Sequence, residues 1–591
     1  MEVFFEVIFM DVFKVYNKKS HMIIFAGYML CFIILCVRLV YLMMFQCDYY
    51  GSEALKVQER ERNIKAARGL IVDRNHVVLG DNKTVCTVSV VHSQIKEPEK
   101  VIEALHNELN IPEDELIDKI TKVSLREKIK SNVDKEVGDR LRAYDLDGIK
   151  VDEDYKRYYP YGTLASKVLG FTGADNQGII GLEVEYEEYL AGDVGQILTV
   201  TDARGIELEG VAERRIEPVA GDTLVTSIDV NIQKYATQAA EKVLETKQAN
   251  YVSIIVMNPN NGEIYAMVNA PEFDLNSPYE LIEVNNKNST DNVEQETVTN
   301  QQDLLNKMWR NNCINDTYEP GSTFKIVTAT AALEEKLVTL DKTFYCPGYC
   351  IVDDRRIRCH KVNGHGSQDF LHCAMTSCNP AFVSIGLSVG KENYYKYLDK
   401  LGILEKTGVD VPGEAGTIIH KIENVGNVEL ATMSFGQSFQ ITPLQLLRAA
   451  SAIINGGTLV TPHFGVAIED SDGNVKETLT YESESNVISK ETSDTLRYIM
   501  GMVVSDGGGV KGAVEGYSVG GKTATSEKLP RGNGKYISSF IGFSPVENPE
   551  VIAMCIIDEP TGLYYGGTIA APVIQELYAN ILPYLEIKKV D

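Results

Sequence analysis

The order of apolar and polar positions separates one long apolar segment near the start of the chain from a mixed remainder. Residues 22–45 read MIIFAGYMLCFIILCVRLVYLMMF, and Arg38 is the only charged residue among them. About 20 helical residues cross the hydrocarbon core of a membrane. The pattern therefore predicts a transmembrane helix over 22–45, with Arg38 close enough to one end for its side chain to reach the lipid headgroups.

Basic residues before this segment predict its orientation. Lys14, Lys18 and Lys19 precede it, and the positive-inside rule places such residues in the cytoplasm. Residues 1–21 are therefore predicted to be a cytoplasmic tail, and the chain after about residue 50 to be extracytoplasmic. A cleaved signal peptide is the alternative. The apolar run is long and no small-residue cleavage pattern follows it, which favours a single-pass anchor in the cytoplasmic membrane.

Beyond the anchor, the apolar period changes repeatedly between helical and strand-like spacing. Residues 50–220 form one predicted domain, charged and mixed, and residues 221–591 form a second. The predicted elements are helices over 99–109, 113–122, 230–246 and 571–585, a strand over 221–229, a hairpin over 251–271 with its turn at 260–262, two strands within 536–558, and a polar surface loop over 285–301. Strands and helices in this order predict an α+β fold around an antiparallel sheet.

Composition excludes one broad class of function. The chain has 591 residues, too many for one hydrophobic core, and a formal net charge of -26. A protein that binds nucleic acid needs clustered lysine and arginine to neutralise phosphates, and no such stripe is present. The acidity is that of an exported domain that stays soluble, so no nucleic-acid partner is expected.

A candidate catalytic motif begins at Ser322. Tyr318-Glu-Pro-Gly-Ser-Thr-Phe-Lys325 predicts a helix start, with Ser322 and Lys325 as neighbours at i and i+3 on one helix face. A serine hydroxyl needs an adjacent base to act as a nucleophile. A lysine can be that base if burial or a nearby cation keeps it neutral. Alone, the motif is weak, and it is more typical of an N-cap serine beside a solvated lysine.

Two later motifs favour the catalytic interpretation. Ser377-x-Asn379 follows within Thr376-Ser-Cys-Asn-Pro380, and Lys522-Thr-Ala-Thr525 lies on a glycine-rich predicted strand near the end of the chain. In this order the three motifs resemble the Ser-x-x-Lys, Ser-x-Asn and Lys-Thr-Gly set of penicillin-binding proteins and serine β-lactamases.

Further blocks extend the resemblance to class B penicillin-binding proteins, the monofunctional peptidoglycan D,D-transpeptidases. The blocks are Arg68-Gly-Leu-Ile-Val-Asp-Arg74, Tyr159-Pro-Tyr-Gly162, Gly170, Gly178-Ile-Ile-Gly-Leu-Glu183, Asp202-Ala-Arg-Gly205, Phe435-Gly-Gln437 with Thr442-Pro443, and Tyr565-Gly-Gly567. The resemblance implies an elongated N-terminal pedestal over 50–220, of the type described as a dimerisation domain. It also implies a penicillin-binding, serine β-lactamase-like transpeptidase domain over 221–591, with an antiparallel sheet flanked by helices.

The resemblance also implies roles in the reaction. Ser322 would attack the penultimate D-Ala carbonyl of a stem peptide, with Lys325 as its base. Ser377 would relay the proton to the departing D-Ala, and Asn379 would hold the substrate amide. An amine of a neighbouring stem peptide would then resolve the acyl-enzyme, and β-lactams would acylate the same serine.

Substrate binding and partners follow from the same resemblance. Lys522 would lower the pKa of Lys325 and attract the terminal carboxylate, while Thr523 and Thr525 would hydrogen-bond it. The backbone N–H groups of Ser322 and Thr525 would form the oxyanion hole. The implied partners are stem peptides ending in D-Ala-D-Ala, β-lactam antibiotics, the membrane, and a glycosyltransferase of a cell-wall synthesis complex.

The third motif departs from the family at Ala524, where glycine is usual. Glycine in a strand allows a ligand to approach the backbone closely, so a methyl group here puts normal β-lactam affinity in doubt. Strand alternation places Ala524 on the face opposite Thr523 and Thr525, which predicts that the carboxylate contacts survive.

Cysteine and histidine residues concentrate between the first two motifs. The group consists of Cys346, Cys350, Cys359, Cys373 and Cys378 with His360, His365 and His372. Disulfides are one interpretation for an exported protein, simple burial is a second, and a tetrahedral zinc site is a third. The density of both residue types favours zinc.

A resemblance to zinc-holding class B proteins of anaerobic spore formers implies a particular ligand set. It consists of Asp354, Cys359, His365 and Cys373, with Cys346 and Cys350 as reserve ligands or a disulfide pair. The zinc would be structural, because the reaction itself needs no cofactor. This likeness also gives a sporulation role a slight preference over division or elongation.

Two rival functions remain open at this point. A β-lactamase or a β-lactam sensor would share the three motifs, although the large N-terminal region argues against the first and the lack of a cytoplasmic signalling domain against the second. A catalytically silent cell-wall scaffold, with its cleft closed by Ala524, is the rival from another class.

Overall fold

The computed structural model describes residues 2–50, 59–122, 126–200, 214–282 and 300–590. Nearly all of the predicted surface loop at 285–301, and the block at 202–205, lie outside these residues. The chain forms two compact units. The smaller consists of Met1–Lys65, Cys86–Asp154 and Val194–Pro218, and the larger of Ala66–Val85, Tyr155–Asp193 and Val219–Asp591. The units interleave along the chain, whereas the sequence prediction places one linear boundary at 220.

The elements of the first half of the described chain come first. Its helices are α1 (Glu2–Phe45), α2 (Pro98–Leu109), α3 (Glu113–Thr121), α4 (Lys135–Ala143), α5 (Ser166–Leu169), α6 (Gly181–Glu185), α7 (Glu187–Leu190) and α8 (Val230–Lys247). Its strands are β1 (Glu59–Ile64), β2 (Ile71–Val72), β3 (Val78–Val90), β4 (Glu127–Asp134), β5 (Ile149–Tyr158), β6 (Gly195–Val200), β7 (Arg214–Ile216), β8 (Thr223–Thr226), β9 (Tyr251–Met257) and β10 (Ile264–Ala270).

The second half contains the remaining helices and strands. Its helices are α9 (Gln301–Met308), α10 (Lys325–Glu334), α11 (Phe370–Met375), α12 (Asn379–Val389), α13 (Lys391–Lys400), α14 (Asn427–Met433), α15 (Pro443–Ile454), α16 (Lys490–Ser505), α17 (Gly566–Ile569) and α18 (Ala571–Tyr584). Its strands are β11 (Thr343–Cys346), β12 (Tyr349–Val352), β13 (Arg355–Arg358), β14 (Gly366–Asp369), β15 (Thr458–Val460), β16 (Gly465–Glu469), β17 (Val475–Thr478), β18 (Ser483–Ser485), β19 (Gly520–Glu527), β20 (Tyr536–Ser544) and β21 (Val551–Asp558).

Helix α1 contains the predicted anchor. Its part Ser20–Phe45 has a mean hydropathy of 2.5, and it is the one helix among the described residues that is long and apolar enough to cross a membrane. The apolar side chains of this part are exposed in the isolated chain, as expected for a surface that faces lipid. The helix also extends back through most of the predicted tail at 1–21.

In the smaller unit, two predicted helices form with their apolar faces buried. Val101, Leu105 and Leu109 of α2 follow one another at a spacing of four residues, and Leu116 and Ile120 of α3 do the same. All five belong to one hydrophobic cluster. Helical periodicity therefore identified both elements, with boundaries within one residue of those observed.

The larger unit is built on a five-stranded antiparallel sheet in the order β10-β9-β21-β20-β19. Strand β9 is almost entirely apolar in sequence because both of its faces are covered. Val252, Ile254 and Val256 belong to a hydrophobic cluster that also contains side chains of α8 and α18. Ile255 and Met257 point to the other face and belong to a second cluster, which contains side chains of α10, α12 and α15. A sheet covered on both faces confirms the predicted α+β class.

The larger unit also buries a charged network from the N-terminal blocks. The guanidinium groups of Arg68 and Arg157 each lie 2.6 Å from the carboxylate of Glu183, and Tyr159 donates to the same carboxylate at 3.0 Å. Two cations and a hydroxyl satisfy the buried carboxylate, which makes this burial tolerable. The network explains why these charged residues occur in blocks that are otherwise apolar and glycine-rich.

Candidate active site

Ser322 lies on a tight turn just before α10. The turn, Gly321–Phe324, is 3₁₀-helical and leads directly into the helix. Gly321 has φ +58°, and a Cβ there would lie 2.2 Å from Ser526 Oγ, so only glycine fits. Its N–H donates to Gly436 O at 2.9 Å, within the Phe435-Gly-Gln437 block. The close approach of β19 thus fixes the backbone that presents Ser322.

Lys325 is the first residue of α10, and its side chain is buried. Its Nζ lies 2.7 Å from Ser377 O, 3.1 Å from Ser377 Oγ and 2.7 Å from Asn379 Oδ1. Burial, reinforced by the positive charge of Lys522, holds the pKa of Lys325 well below its usual range. The lowered pKa favours the neutral form of the amine, which is the form that a base requires. Within the described residues this amine bonds to the second motif, with no hydrogen bond to Ser322 Oγ.

Ser377 lies between two lysines. Lys522 Nζ donates to Ser377 Oγ at 3.1 Å, the same distance that separates this oxygen from Lys325 Nζ. Burial lowers the pKa of Lys522 to about 7. A hydroxyl can accept from one amine and donate to the other, so Ser377 is placed to relay a proton. Its φ of +54° is left-handed, a strain that the bond from Lys325 to its carbonyl helps to hold.

Asn379 opens α12 and connects the motif to a neighbouring hairpin. Its Oδ1 accepts from Lys325, while its Nδ2 donates to Arg358 O at 3.2 Å. The structure thus brings Lys325, Ser377, Asn379 and Lys522 into one hydrogen-bonded group, with Ser322 on the turn beside it.

Strand β19 presents two different faces. Lys522, Ala524 and Ser526 are buried, whereas Thr523 and Thr525 are partly exposed. Ala524 faces the nucleophile turn, since a Cβ on Gly321 would lie 3.6 Å from its methyl carbon. The alternation predicted from sequence is therefore present. Thr525 Oγ1 accepts from Gly566 N at 2.9 Å, which leaves its own proton free to be donated.

Glu319, three residues before Ser322, belongs to the site but was not predicted from the sequence. This side chain is only 8% exposed. One oxygen accepts from Ser438 N at 2.8 Å, and the other lies 2.6 Å from Arg531, in the turn between β19 and β20. The sequence feature that could have identified Glu319 is an acidic residue beside an apolar turn that contains proline. Glu319 thus connects the nucleophile segment to that turn.

A second cluster lies next to the catalytic group. The ligand atoms of Cys346, Cys359, His365 and Cys378 all lie within 4.8 Å of one another, and Cys359 Sγ is 3.5 Å from His365 Nδ1. Cys378 is the middle residue of Ser377-x-Asn379. The cluster is therefore covalently continuous with the second catalytic motif.

Two of the four ligands predicted from sequence, Asp354 and Cys373, lie outside this converging set. Asp354 is at the tip of the β12–β13 turn, where its side chain is 82% exposed and lies 3.6 Å from Arg355. Cys373 is buried beside the thiols but outside the set of converging ligand atoms. Cys346, a reserve ligand in the sequence prediction, belongs to the converging set. Cys350, the other reserve ligand, packs with Val352 instead. Cys378, which was not among the ligands predicted from sequence, also belongs to the set.

The donor set fits zinc. Three thiols and one imidazole are a common tetrahedral ligand set for Zn²⁺. A hydrogen bond with Cys378, together with burial, raises the pKa of Cys359. A divalent cation would reverse that effect, because thiols bind metal as thiolates. The cysteines of the described chain are free thiols in this structure.

Comparison with known families matches most of the chain. The family described as penicillin-binding protein transpeptidase domain matches residues 252–579, more than half of the chain. The family described as penicillin-binding protein dimerisation domain matches residues 63–226.

Individual proteins are similar over nearly the whole length. Stage V sporulation protein D of Bacillus subtilis is 37% identical, over 98% of this chain and 88% of that protein. The probable peptidoglycan D,D-transpeptidase PenA of Neisseria meningitidis is 29% identical, over 96% and 91%. Penicillin-binding protein 2X from Streptococcus thermophilus has the same fold, with a TM-score of 0.72 and 22% identity over 89% of this chain and 80% of that one.

Proposed function

The chain belongs to the penicillin-binding protein transpeptidase family, and from that premise we propose a membrane-anchored peptidoglycan D,D-transpeptidase that acts through an acyl-enzyme on Ser322. One observation carries the assignment of residues. Lys325 is buried and has a lowered pKa, and its amine is directed at Ser377, which Lys522 also contacts. A serine nucleophile needs such a base and such a relay.

The first half of the reaction transfers an acyl group to the enzyme. Neutral Lys325 accepts the Ser322 hydroxyl proton while Ser322 Oγ bonds to the penultimate D-Ala carbonyl carbon. The backbone N–H groups of Ser322 and Thr525 stabilise the resulting oxyanion. Ser377 passes a proton to the nitrogen of the terminal D-Ala, the C–N bond breaks, and D-Ala leaves. Lys325 bonds to Ser377 and Asn379 in this structure, and catalytic hydrogen bonds often tighten only with substrate.

The second half forms the cross-link. An amine of a neighbouring stem peptide attacks the ester carbonyl, a new amide bond forms, and the bond to Ser322 breaks. The proton lost by the amine returns to Ser322 Oγ through Lys325 and Ser377. Asn379 Nδ2 holds an amide of the acyl chain throughout.

The terminal carboxylate of the donor defines the other end of the site. Thr523 and Thr525 lie on the partly exposed face of β19 and donate hydrogen bonds to it, while Lys522 supplies positive charge. A β-lactam presents a carboxylate and an acyl carbonyl in the same arrangement and acylates Ser322. Ala524 lies on the opposite face, so it leaves the threonine contacts in place.

The proposal also includes the orientation of the chain in the membrane and a partner protein. Lys14, Lys18 and Lys19 favour a cytoplasmic tail, which places the catalytic domain outside the membrane, where peptidoglycan lies. A glycosyltransferase of the same cell-wall complex supplies the strands to be cross-linked. The similarity to Stage V sporulation protein D favours a role in sporulation.

We also propose that Cys346, Cys359, His365 and Cys378 hold a structural zinc ion. The support is the convergence of their ligand atoms within 4.8 Å. Bound zinc would cross-link the segment after β11 to the second catalytic motif, since Cys378 separates Ser377 from Asn379. It supplies rigidity and no chemical step.

The test is a cross-linking assay with the detergent-solubilised full-length protein. A donor peptide ending in D-Ala-D-Ala and an acceptor amine should yield a cross-linked product and one D-Ala per cross-link. Ser322→Ala should yield neither product. A silent scaffold forms no product in the wild type either. A β-lactamase turns over penicillin rapidly, whereas a transpeptidase keeps the acyl group for many minutes.

A further inference from the structure

Residues 343–369 form a projection, here called the arm, between the first two catalytic motifs. Strands β11 and β14 pair at its base, with Cys346 opposite Gly366. Strands β12 and β13 pair farther out, with Tyr349 opposite Arg358 and Ile351 opposite Arg356. The arm ends where α11 begins.

The outer hairpin has one buried face and one exposed face. Cross-strand partners share a face, so Cys350, Val352 and Ile357 lie together, and they pack on a cluster that includes Val383 and Phe435. The other face presents Tyr349, Ile351, Arg356 and Arg358, and Ile351 is 66% exposed. This second face is both apolar and cationic.

The two arginines on the exposed face lack acidic partners within the described chain. Their neighbour Arg355 pairs with Asp354, but no carboxylate of the described residues lies within 4 Å of Arg356 or Arg358. The Arg356 guanidinium instead stacks on the Tyr349 ring, 3.8 Å from its centroid. In a chain of net charge -26, two uncompensated cations on one small face are unusual. They offer charge to an anionic ligand.

The exposed face adjoins the catalytic group through the backbone. Asn379 Nδ2 donates to Arg358 O at 3.2 Å, so the last residue of β13 touches the residue that holds the substrate amide. A donor peptide bound across Asn379 therefore runs past Arg358.

We propose that Arg356 and Arg358 form a subsite for a free carboxylate within the stem peptide, distinct from its terminal D-Ala carboxylate. The proposal rests on the proposed function and names the donor that this site prefers. A stem peptide carries a γ-linked glutamyl residue whose α-carboxylate is free unless it is amidated. Guanidinium groups bind carboxylates with paired, charge-assisted hydrogen bonds. The arm thus selects donors whose glutamyl carboxylate is unmodified.

The experiment compares two donor peptides that differ only at that carboxylate, one free and one a carboxamide. Acylation of the full-length protein is measured as a second-order rate constant for each. The wild type should prefer the free acid about tenfold, which corresponds to about 1.4 kcal/mol. Arg356→Gln combined with Arg358→Gln should lower the preference to near one. Arg356→Glu combined with Arg358→Glu should reverse it.

Arg355→Gln is the matched control, because Arg355 lies on the same strand but on the other face. It should retain the wild-type preference. The ratio of two donors within one variant cancels any general loss of activity. Equal acylation of the wild type by both donors, or a preference that survives the double glutamine substitution, overturns the subsite while the transpeptidase assignment stands. Failure of the wild type to react with either donor or with penicillin overturns both.

Discussion

The catalytic group and the arm touch where Asn379 donates to Arg358 O, but they are held in place by different means. Lys325 and Lys522 lie on α10 and β19, elements whose neighbours belong to the two large hydrophobic clusters. The arm has strands of four residues, in which only Cys346 and Val352 are buried. Two-stranded hairpins of this size are marginal by themselves in water. The fold therefore fixes the catalytic group, whereas the arm would depend on the zinc cross-link proposed above.

Because of this difference, substitutions in the two regions should have different effects on activity and stability. A change in the catalytic group should remove chemistry and leave stability nearly intact. A change in the cross-link of the arm should lower stability and slow the chemistry indirectly, because Cys378 adjoins Ser377 and Asn379. The predictions below test this separation.

The largest effect is expected for Ser322→Ala. The substitution removes one partly exposed hydroxyl, so penicillin labelling should vanish while the melting temperature changes by less than about 1 °C. Intact-mass analysis and a thermal melt measure both quantities. An adduct on the alanine variant would show that the nucleophile is another residue.

Lys325→Arg should come next, with acylation slowed by about 10² to 10⁴, the usual contribution of a general base. Arginine keeps the charge but does not deprotonate in proteins. Stopped-flow acylation with a chromogenic β-lactam measures the rate. Acylation at the wild-type rate would exclude Lys325 as the base.

Removal of zinc should have a smaller effect on chemistry and a larger one on stability. A ligand bound only by the folded state stabilises that state, and structural zinc binds tightly. Chelation should lower the melting temperature by about 5 to 10 °C and slow acylation of Ser322 roughly tenfold. Cys346→Ser and Cys359→Ser should reproduce both changes.

Asp354→Asn and Cys350→Ser are the matched controls, because neither residue belongs to the converging set. Both should melt and react like the wild type, with about one zinc per chain by elemental analysis. Protein purified without chelator and free of zinc, with Cys346 or Cys359 in a disulfide, would remove the support for the metal site.

The smallest effect concerns pH. The neutral form of Lys325 becomes more abundant as the pH rises through its lowered pKa. The rate of acylation should therefore increase with pH on the acidic side of the profile. Charged Lys522 becomes scarcer as the pH rises through its pKa of about 7, which gives a descending limb above neutrality. Acylation should fall several-fold between pH 7 and pH 8.

Lys522→Arg is the control for this assignment, since its charge persists at alkaline pH. Its profile should lose the descending limb, whatever its absolute rate. A limb that remains near pH 7 in the arginine variant would assign it to another group.

Much of the catalytic group could be predicted because short-range patterns encode it. Pro320 and Gly321 indicate a turn, the apolar run after Lys325 indicates a helix, and alternation along 520–527 separates Ala524 from its threonine neighbours. These signals need no knowledge of the tertiary fold. The hydrogen bonds of Lys325 with Ser377 and Asn379 can be known only from the tertiary fold, because they join residues more than 50 positions apart.

The ligand cluster shows the limit of such patterns. The resemblance to zinc-holding proteins implied Asp354 and Cys373, which are close in sequence to Cys359 and His365. The pairing of β11 with β14 places Cys346 opposite Gly366, next to His365, and turns the tip that carries Asp354 towards solvent. Cys378 joins the cluster because α11 returns the chain to the base of the arm. The contact of Glu319 with Arg531 likewise spans two distant segments.

The most direct test of the central claim is to trap the acyl-enzyme with a donor peptide and to locate the acyl group. A donor ending in D-Ala-D-Ala, offered without an acceptor amine and quenched rapidly, should leave the peptide minus one D-Ala on the chain. Tandem mass spectrometry should place this group on Ser322, at up to one per chain. An acyl group on any other residue, or D-Ala released with no covalent intermediate at all, would contradict the account.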